Sequence, residues 1–455
     1  MSSVLYLLLL IAIIIILFAG FRRPMYEIML IGFLAMVVVT GTLENFWIYL
    51  ETAARSSILY TIVGFVAFSY ILDRTGVIHD FIDIIMALVG RFSGGAGYVA
   101  LFASSILGSL SGSGTGNAAA IGTIAIPTMI RSGYSRELAA AVEAASSALG
   151  VVIPPSGTIA AVFGVLMATY PNCCTFSEFW MLMWGISFWF ILQRVVTLFI
   201  CIKVHKIKPI PKEERMPLGK ALKKGWRVIL LPVIILAPFM FDAMISDTFI
   251  VTRLGESGAK IFSKSLLAMT PSIAIAFVIW IGVSKGNKIT FNSFFRMFES
   301  AINNIAPVTM MVFGGLAISE VFQKIGIGDA IAQMMEGLHI ELWMVALVFP
   351  VVFAFLGMFL EGLTIIYMLG NVFIIMAHSV GINPILAAAM LPVVVTVMGY
   401  MTPPFAITFH ICLGIADADF LKATKIIILW CVTQYIVQAL ILFGVLPVPG
   451  LVPFA

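Results

Sequence analysis

The chain has 455 residues, of which 61% are hydrophobic and only 11% charged; 26 Lys and Arg stand against 22 Asp and Glu, for a net charge of +4. Soluble domains carry about 25% charged residues, so this composition, with a mean hydropathy of +1.11, excludes a soluble globular protein. It also leaves no segment polar enough for a separate catalytic domain, and because the positive charge sits mostly in one loop it reports membrane orientation rather than a nucleic-acid partner.

The predicted elements begin with "MSSVLYLLLLIAIIIILFAGFRR". It lacks a basic leader and places Arg22 and Arg23 after the apolar run, which favours an uncleaved first span with the N-terminus outside. Spans follow near 27–43 and 57–73, then "GVIHDFIDIIMALVGRF", whose His79, Asp80, Asp83 and Arg91 mark an interfacial helix. Two apolar pieces near 98–110 and 118–130 are each too short to cross a bilayer, and they read as arms of a re-entrant hairpin. Between them lies the glycine run in "GSLSGSGTGNAAAIGTIAIP". Glycine weakens a helix and frees backbone groups, which survive at membrane depth only where protein or a water-filled cavity supplies partners.

In "SRELAAAVEAASSALGVVIPPSGTIAAVFGVLMATY", Pro154 and Pro155 break one span into halves. The Lys/Arg-rich connector from Cys201 to Trp226 is cytoplasmic by the positive-inside bias. Further spans lie near 228–245, 263–283 and 297–320. The five cysteines show no metal-ligand spacing. No nucleophile elbow, zinc helix or Walker loop is present in its required setting, so the chain is not expected to be an enzyme.

The pattern then recurs at a nearly constant offset. Gly76 matches Gly326, the "LAAA" at 138–141 recurs at 386–389, and Gly150, Pro154 and Pro155 match Gly399, Pro403 and Pro404, with Gly114 falling on Gly362. Arg131 and Arg136 at the base of the first hairpin correspond to Ser379 and Pro384, which predicts opposite orientations and therefore an inverted repeat. Lys422 and Lys425 then come out inside, and the C-terminus outside. The expected fold is an all-α polytopic membrane protein with two re-entrant helical hairpins and two broken helices. It divides into N-terminal helices at 1–75, a first repeat at 76–170, connecting helices at 171–321 containing the basic loop 203–227, a second repeat at 322–416, and a C-terminal helix at 417–455.

Unwound carbonyls and half-helix C-termini in such a repeat coordinate Na+, while half-helix N-termini attract an anion. The candidate Na+ ligands are Ser111, Gly112, Gly114, Ser147, Gly150 and Pro154 in the first repeat. In the second they are Gly357, Glu361, Gly362, Thr396, Gly399, Thr402 and Pro403. Neutral oxygens suit a hard, weakly charged cation. Candidate substrate contacts are Ser113, Thr115, Asn117, Ser156, Thr364 and Thr408. An acid at a hairpin tip within apolar sequence, as Glu361 is, is functional by default. Glu143 is open between a site role and pairing with Arg131 or Arg136; His410 reads as a packed histidine, and Asp417 and Asp419 as solvated loop acids.

"SGSGTGNAAAIGTIAIPTMIRSGYSRELAAAVEAASSALGVVIPPS", "GMFLEGLTII" and "GYMTPPF" together resemble the large membrane subunit of tripartite ATP-independent periplasmic (TRAP) transporters, within the wider ion-transporter superfamily. The resemblance covers most of residues 60–420. It implies an elevator-type Na+ symporter for small organic acids, with a hairpin-bearing transport domain moving against a scaffold in a bacterial or archaeal cytoplasmic membrane. The implied partners are a small four-helix membrane subunit, here separate from the chain or absent, and a periplasmic substrate-binding protein. A stand-alone Na+/carboxylate symporter that needs no binding protein is the alternative. The family usually has Asp where this chain has Glu361, and commonly Asn where it has Thr408.

Overall fold

The computed structural model describes residues 3–75, 77–170, 173–210, 217–245, 249–284, 291–327, 330, 337, 341–358 and 362–454. The elements are helical from end to end among these residues. They begin with α1 (Ser3–Ile15), α2 (Met25–Val39), the short α3 (Phe46–Arg55) and α4 (Ser57–Arg74). Next come α5 (Val77–Val89), the arms α6 (Gly95–Ser111) and α7 (Gly114–Arg131), and the interrupted pair α8 (Arg136–Leu149) and α9 (Gly157–Thr169). Four long helices follow: α10 (Phe176–Val204), α11 (Leu218–Ile245), α12 (Val251–Ser284) and α13 (Phe291–Lys324). The last part holds α14 (Phe349–Gly357), α15 (Gly362–Ser379), α16 (Pro384–Leu391), a wide π-helical stretch Pro392–Val397, α17 (Met398–Met401), α18 (Ile407–Ala416) and α19 (Phe420–Leu442). Seven of the described helices are long and apolar enough to cross a membrane, and two further pairs bent by 45° raise the total to nine where each pair counts as one span. This is a multi-pass membrane protein.

The helices fall into two groups, which meet where α4 lies on α6 and α9 and where α13 lies on α9 and α15. In one, α13 lies against α2 and α4, and α12 against α4. In the other, each outer hairpin arm lies on the first half of its own interrupted helix and the second half of the other: α7 on α8 and α18, α15 on α16 and α9. The amphipathic α5 packs on α11, where Lys224 bridges Asp80 at 3.3 Å and Asp83 at 2.7 Å.

The hairpin turn has a local cause. Gly112 sits at φ +65° and its N–H returns to the Gly108 carbonyl at 2.8 Å, ending α6 with a left-handed glycine. Ser113 then caps α7 by accepting from the Gly116 N–H at 3.1 Å. At the base, the Tyr134 hydroxyl donates to the Gly94 carbonyl at 2.9 Å. On the other half, Tyr170 at the end of α9 meets His378 near the end of α15 at 2.9 Å, and Asn383 donates to the Val452 carbonyl at 2.9 Å, so the C-terminal tail covers that base.

Two elements differ from expectation. The helix α3 was not anticipated, being a ten-residue amphipathic segment too short for the apolar-run criterion. Before the second proline pair, the helix widens into a π-helical stretch across "PVVVTV", where an unbroken span up to the prolines is the simpler reading of the sequence. The amphipathic helix expected after Gly326 falls mostly outside the described residues.

Candidate functional site

The site starts from two close crossings of backbone. Gly108 on α6 meets Gly150 just beyond α8, so that a Cβ on Gly108 would lie 2.9 Å from Gly150 Cα. Gly357 on α14 meets Gly399 on α17 in the same way, with a Cβ on Gly357 falling 2.9 Å from Gly399 Cα. Both members of the second pair lie 249 residues after those of the first. The cis bonds Pro154–Pro155 and Pro403–Pro404 are separated by the same 249 residues. Only residues without a side chain let the hairpin arms come this near the breaks, because a Cβ would meet backbone that cannot move aside.

At the first tip, the Gly112 carbonyl accepts from Thr158 Oγ1 at 3.5 Å. Ser156 caps α9, taking the Thr158 N–H at 3.2 Å, and a Cβ at Gly112 would lie 3.6 Å from the Ser156 hydroxyl. The tip therefore rests on the N-terminus of a half-helix, where unpaired N–H groups and the helix dipole favour negative charge. Ser113 and Thr115 hydroxyls are 3.2 Å apart and half-buried. Ser156→Ala is expected to remove the cap and lower stability by about 0.5–2 kcal/mol, measurable as a drop in thermal midpoint of the purified protein; an unchanged midpoint would mean that the tip itself holds the α9 terminus.

Asn117 is buried and points inward from α7. Its amide donates to the Ser104 carbonyl at 2.7 Å and to Ser147 Oγ at 3.3 Å. Ser104 and Ser147 hydroxyls both donate to Glu143 Oε1, at 2.6 and 2.8 Å. Glu143 thus does not pair with Arg131 or Arg136. Arg136 instead reaches Asp417 at the end of α18, and Arg131 bonds Thr128 Oγ1 at 3.2 Å. Asp419 caps α19 through the Lys422 N–H at 2.8 Å.

In the second half, Gly362 packs against Thr396, whose Oγ1 is buried with no hydrogen-bond partner among the described residues; the same holds for Thr408 Oγ1. Thr402 Oγ1 donates back to the Met398 carbonyl at 2.5 Å beside Pro403. The Thr364 hydroxyl turns to Met311 Sδ on α13 at 3.4 Å, away from the tip. His410 Nδ1 lies 2.9 Å from the Ala406 carbonyl, and its ring stacks on Phe420. The two halves touch where a Cβ on Gly114 would lie 2.7 Å from Tyr400 Cε2. Glu361 and the Ser111 side chain lie outside the described residues.

The structure also brings forward residues that the sequence reading missed. Arg194 on α10 is fully buried, donating from Nε to the Ala145 carbonyl at 3.2 Å and from Nη1 to Gln193 Oε1 at 2.6 Å. Its Nη2 donates to Gln434 on α19. A lone Arg beside Gln in the middle of an apolar span was the available signal. A cavity of about 240 Å³ opens elsewhere, between α9, α13 and α15, lined by Thr169, Tyr170, Ser319, Gln323, Asn371 and Ile375. None of the expected site residues lines it.

Helix pairs crossed at glycines and set on interrupted helices, in a multi-pass membrane protein, are an arrangement that secondary transporters use around their sites. Over residues 3–448 the chain matches the family described as "Tripartite ATP-independent periplasmic transporter, DctM component", and it belongs to that family of transporters, which are not enzymes. Among curated relatives, it is 23% identical over 395 residues to the sialic acid TRAP transporter large permease protein SiaM of Vibrio cholerae, covering 84% of this chain and 83% of that one. It is 26% identical over 370 residues to the C4-dicarboxylate TRAP transporter large permease protein DctM of Pseudomonas aeruginosa, covering 79% and 78%. The fold is similar to the YdaH transporter of Alcanivorax borkumensis, with a TM-score of 0.63 at 15% identity over 89% of each chain.

Proposed function

We propose that the chain is the large permease of a TRAP-type system in a bacterial cytoplasmic membrane, importing a small carboxylate with Na+. Its partners in this reading are a small four-helix membrane subunit and a periplasmic substrate-binding protein. The observation that carries the reading is the recurrence, 249 residues apart, of a glycine crossing and a Pro-Pro break in each half. In an inverted repeat of this form the two hairpins enter from opposite sides of the bilayer and bring their tips near its midplane, and the Lys/Arg bias of the loops then leaves both termini outside. The helix group around the hairpins then moves as an elevator against the group built on α2, α4, α12 and α13. Neutral tip oxygens from Ser113, Thr115 and the Gly112 carbonyl favour a hard monovalent cation, and the α9 N-terminus favours the substrate carboxylate. The acidic substrates named for SiaM and DctM support the substrate class.

Each net positive charge moved across 100 mV is worth about 2.3 kcal/mol, or roughly fifty-fold accumulation. Uptake of radiolabelled C4-dicarboxylates and sialic acid into proteoliposomes, with partner subunits present, is expected to need an inward Na+ gradient and to rise with an inside-negative potential. Uptake that ignores Na+ would overturn the coupling ion, and uptake without any binding protein would overturn the tripartite assembly.

A further inference from the structure

We infer that Glu143 and Thr408 form a buried monovalent-cation site shared between the two halves, separate from the half-buried tip oxygens. The inference rests on the Na+-coupled reading and adds an anionic ligand to it. Glu143 is completely buried, and its two oxygens are treated differently by their surroundings. Oε1 takes two hydroxyl hydrogens, from Ser104 and Ser147, and Ser147 is itself held by Asn117. Oε2 is buried without a hydrogen-bond partner among the described residues. A carboxylate at membrane depth is costly unless its charge is compensated, and the donors on Oε1 are all neutral.

The helix α18 packs across α8. That helix runs antiparallel to α8, because Asp417 at its end bonds Arg136 at the start of α8. Cys412 lies within electrostatic reach of Glu143, and a Cβ at Gly122 of α7 would lie 3.5 Å from Glu143 Cγ and 3.1 Å from Ile415 Cδ1. Three helices therefore converge at Glu143. Thr408 is one turn before Cys412 on the same face of α18, which in the antiparallel register sets it beside Ser147, one turn beyond Glu143. Its Oγ1, like Glu143 Oε2, is buried without a hydrogen-bond partner among the described residues. One carboxylate and neutral hydroxyls suit a dehydrated Na+ or Li+; among the described residues no group of three His, Cys, Asp or Glu is placed to hold a metal ion, which argues against a transition metal. A cation here neutralises Glu143, and it links the first tip, through Ser147 and Asn117, to the second half of the molecule.

The test is Na+-dependent thermal stabilisation of the full-length purified chain, titrated against choline at constant ionic strength. Wild type is expected to be stabilised by Na+ and Li+. The half-saturating Na+ concentration is expected to rise about tenfold or more in Glu143→Gln, since an ionised partner at a buried site is worth that much, and to rise by a smaller factor in the near-isosteric Thr408→Val. If both variants keep the wild-type midpoint while wild type responds to Na+, this site is wrong and the Na+-coupled reading stands. If wild type shows neither Na+ stabilisation nor Na+-driven uptake, the broader reading fails and the site with it. Stabilisation that follows pH at fixed Na+ and vanishes in Glu143→Gln overturns the cation in favour of a proton. Should Glu143→Gln not fold, the Thr408→Val titration decides alone.

Discussion

Gly150→Ala and Gly399→Ala are each expected to abolish uptake and to lower the thermal midpoint of the purified protein, while Gly414→Ala leaves both intact. A Cβ on Gly399 would fall 2.6 Å from the Gly357 carbonyl oxygen and 2.7 Å from its Cα; on Gly150 it would fall 2.6 Å from the Gly108 carbonyl carbon and 3.0 Å from the Ser109 nitrogen. These neighbours are main-chain atoms, so relief requires a helix to shift as a body. Overpacking of this kind costs about 1–3 kcal/mol, occasionally more. The same shift would lift a hairpin arm away from the break it rests on, and with it the tip carbonyls or the Thr396 contact that the crossing positions. Gly414 sits in α18 with nothing within 4 Å of its added Cβ, so alanine there should gain about 0.5–1 kcal/mol of helix stability. Uptake by Gly150→Ala at the wild-type rate would show that the crossing is not a constraint on transport.

The crossings also explain which parts of the molecule could be read in advance. Glycine and proline report on backbone, so the first tip, both proline breaks and the repeat offset were legible from spacing alone. Gly108 and Gly357 were not paired from sequence, although Gly357 was named as a ligand, because a glycine in an apolar helix gives no sign of which backbone it will meet. The stretch "PVVVTV" reads as ordinary buried helix, and hydropathy carries no record of a change from α to π geometry. Glu143 stays open in the sequence between a site role and pairing with Arg131 or Arg136, because the Arg136 guanidinium turns to Asp417, 281 residues away, a partner that local spacing does not reveal. Thr364 was placed at the tip by its position in sequence, whereas the helix turns its hydroxyl to Met311. Arg194 stands alone inside an apolar span, and nothing in the local sequence shows that its partners, the Ala145 carbonyl and Gln434, come from other helices.

Arg194→Met is expected to remove uptake and to destabilise the protein by roughly 3 kcal/mol or more, with Arg194→Lys recovering part of the stability and little of the uptake. The guanidinium is buried with neutral partners: the Ala145 carbonyl, the side chains of Gln193 and Gln434, Met401 Sδ at 3.4 Å, and the ring of Trp430 with its centroid 5.8 Å away. Methionine fills much of the volume but leaves those acceptors buried without donors, each costing about 1–3 kcal/mol. Lysine keeps the charge on a single point and cannot span the same fork. Uptake should suffer more than stability because of where the network ends. Ala145 lies five residues before the first glycine crossing, and Gln434 passes the connection on to the Val393 carbonyl at 3.4 Å, six residues before the second. One guanidinium thereby ties α10 and α19 to both interrupted helices at nearly equivalent positions. Helices joined in this way move together, so in an elevator α10 and α19 would travel with the hairpins. Cysteine pairs linking α10 to α8 should then leave uptake intact when crosslinked, whereas pairs linking α9 to α13, which are in contact, should stop it. Arrest by the first crosslink would place α10 with the fixed helices and reduce Arg194 to a packing residue.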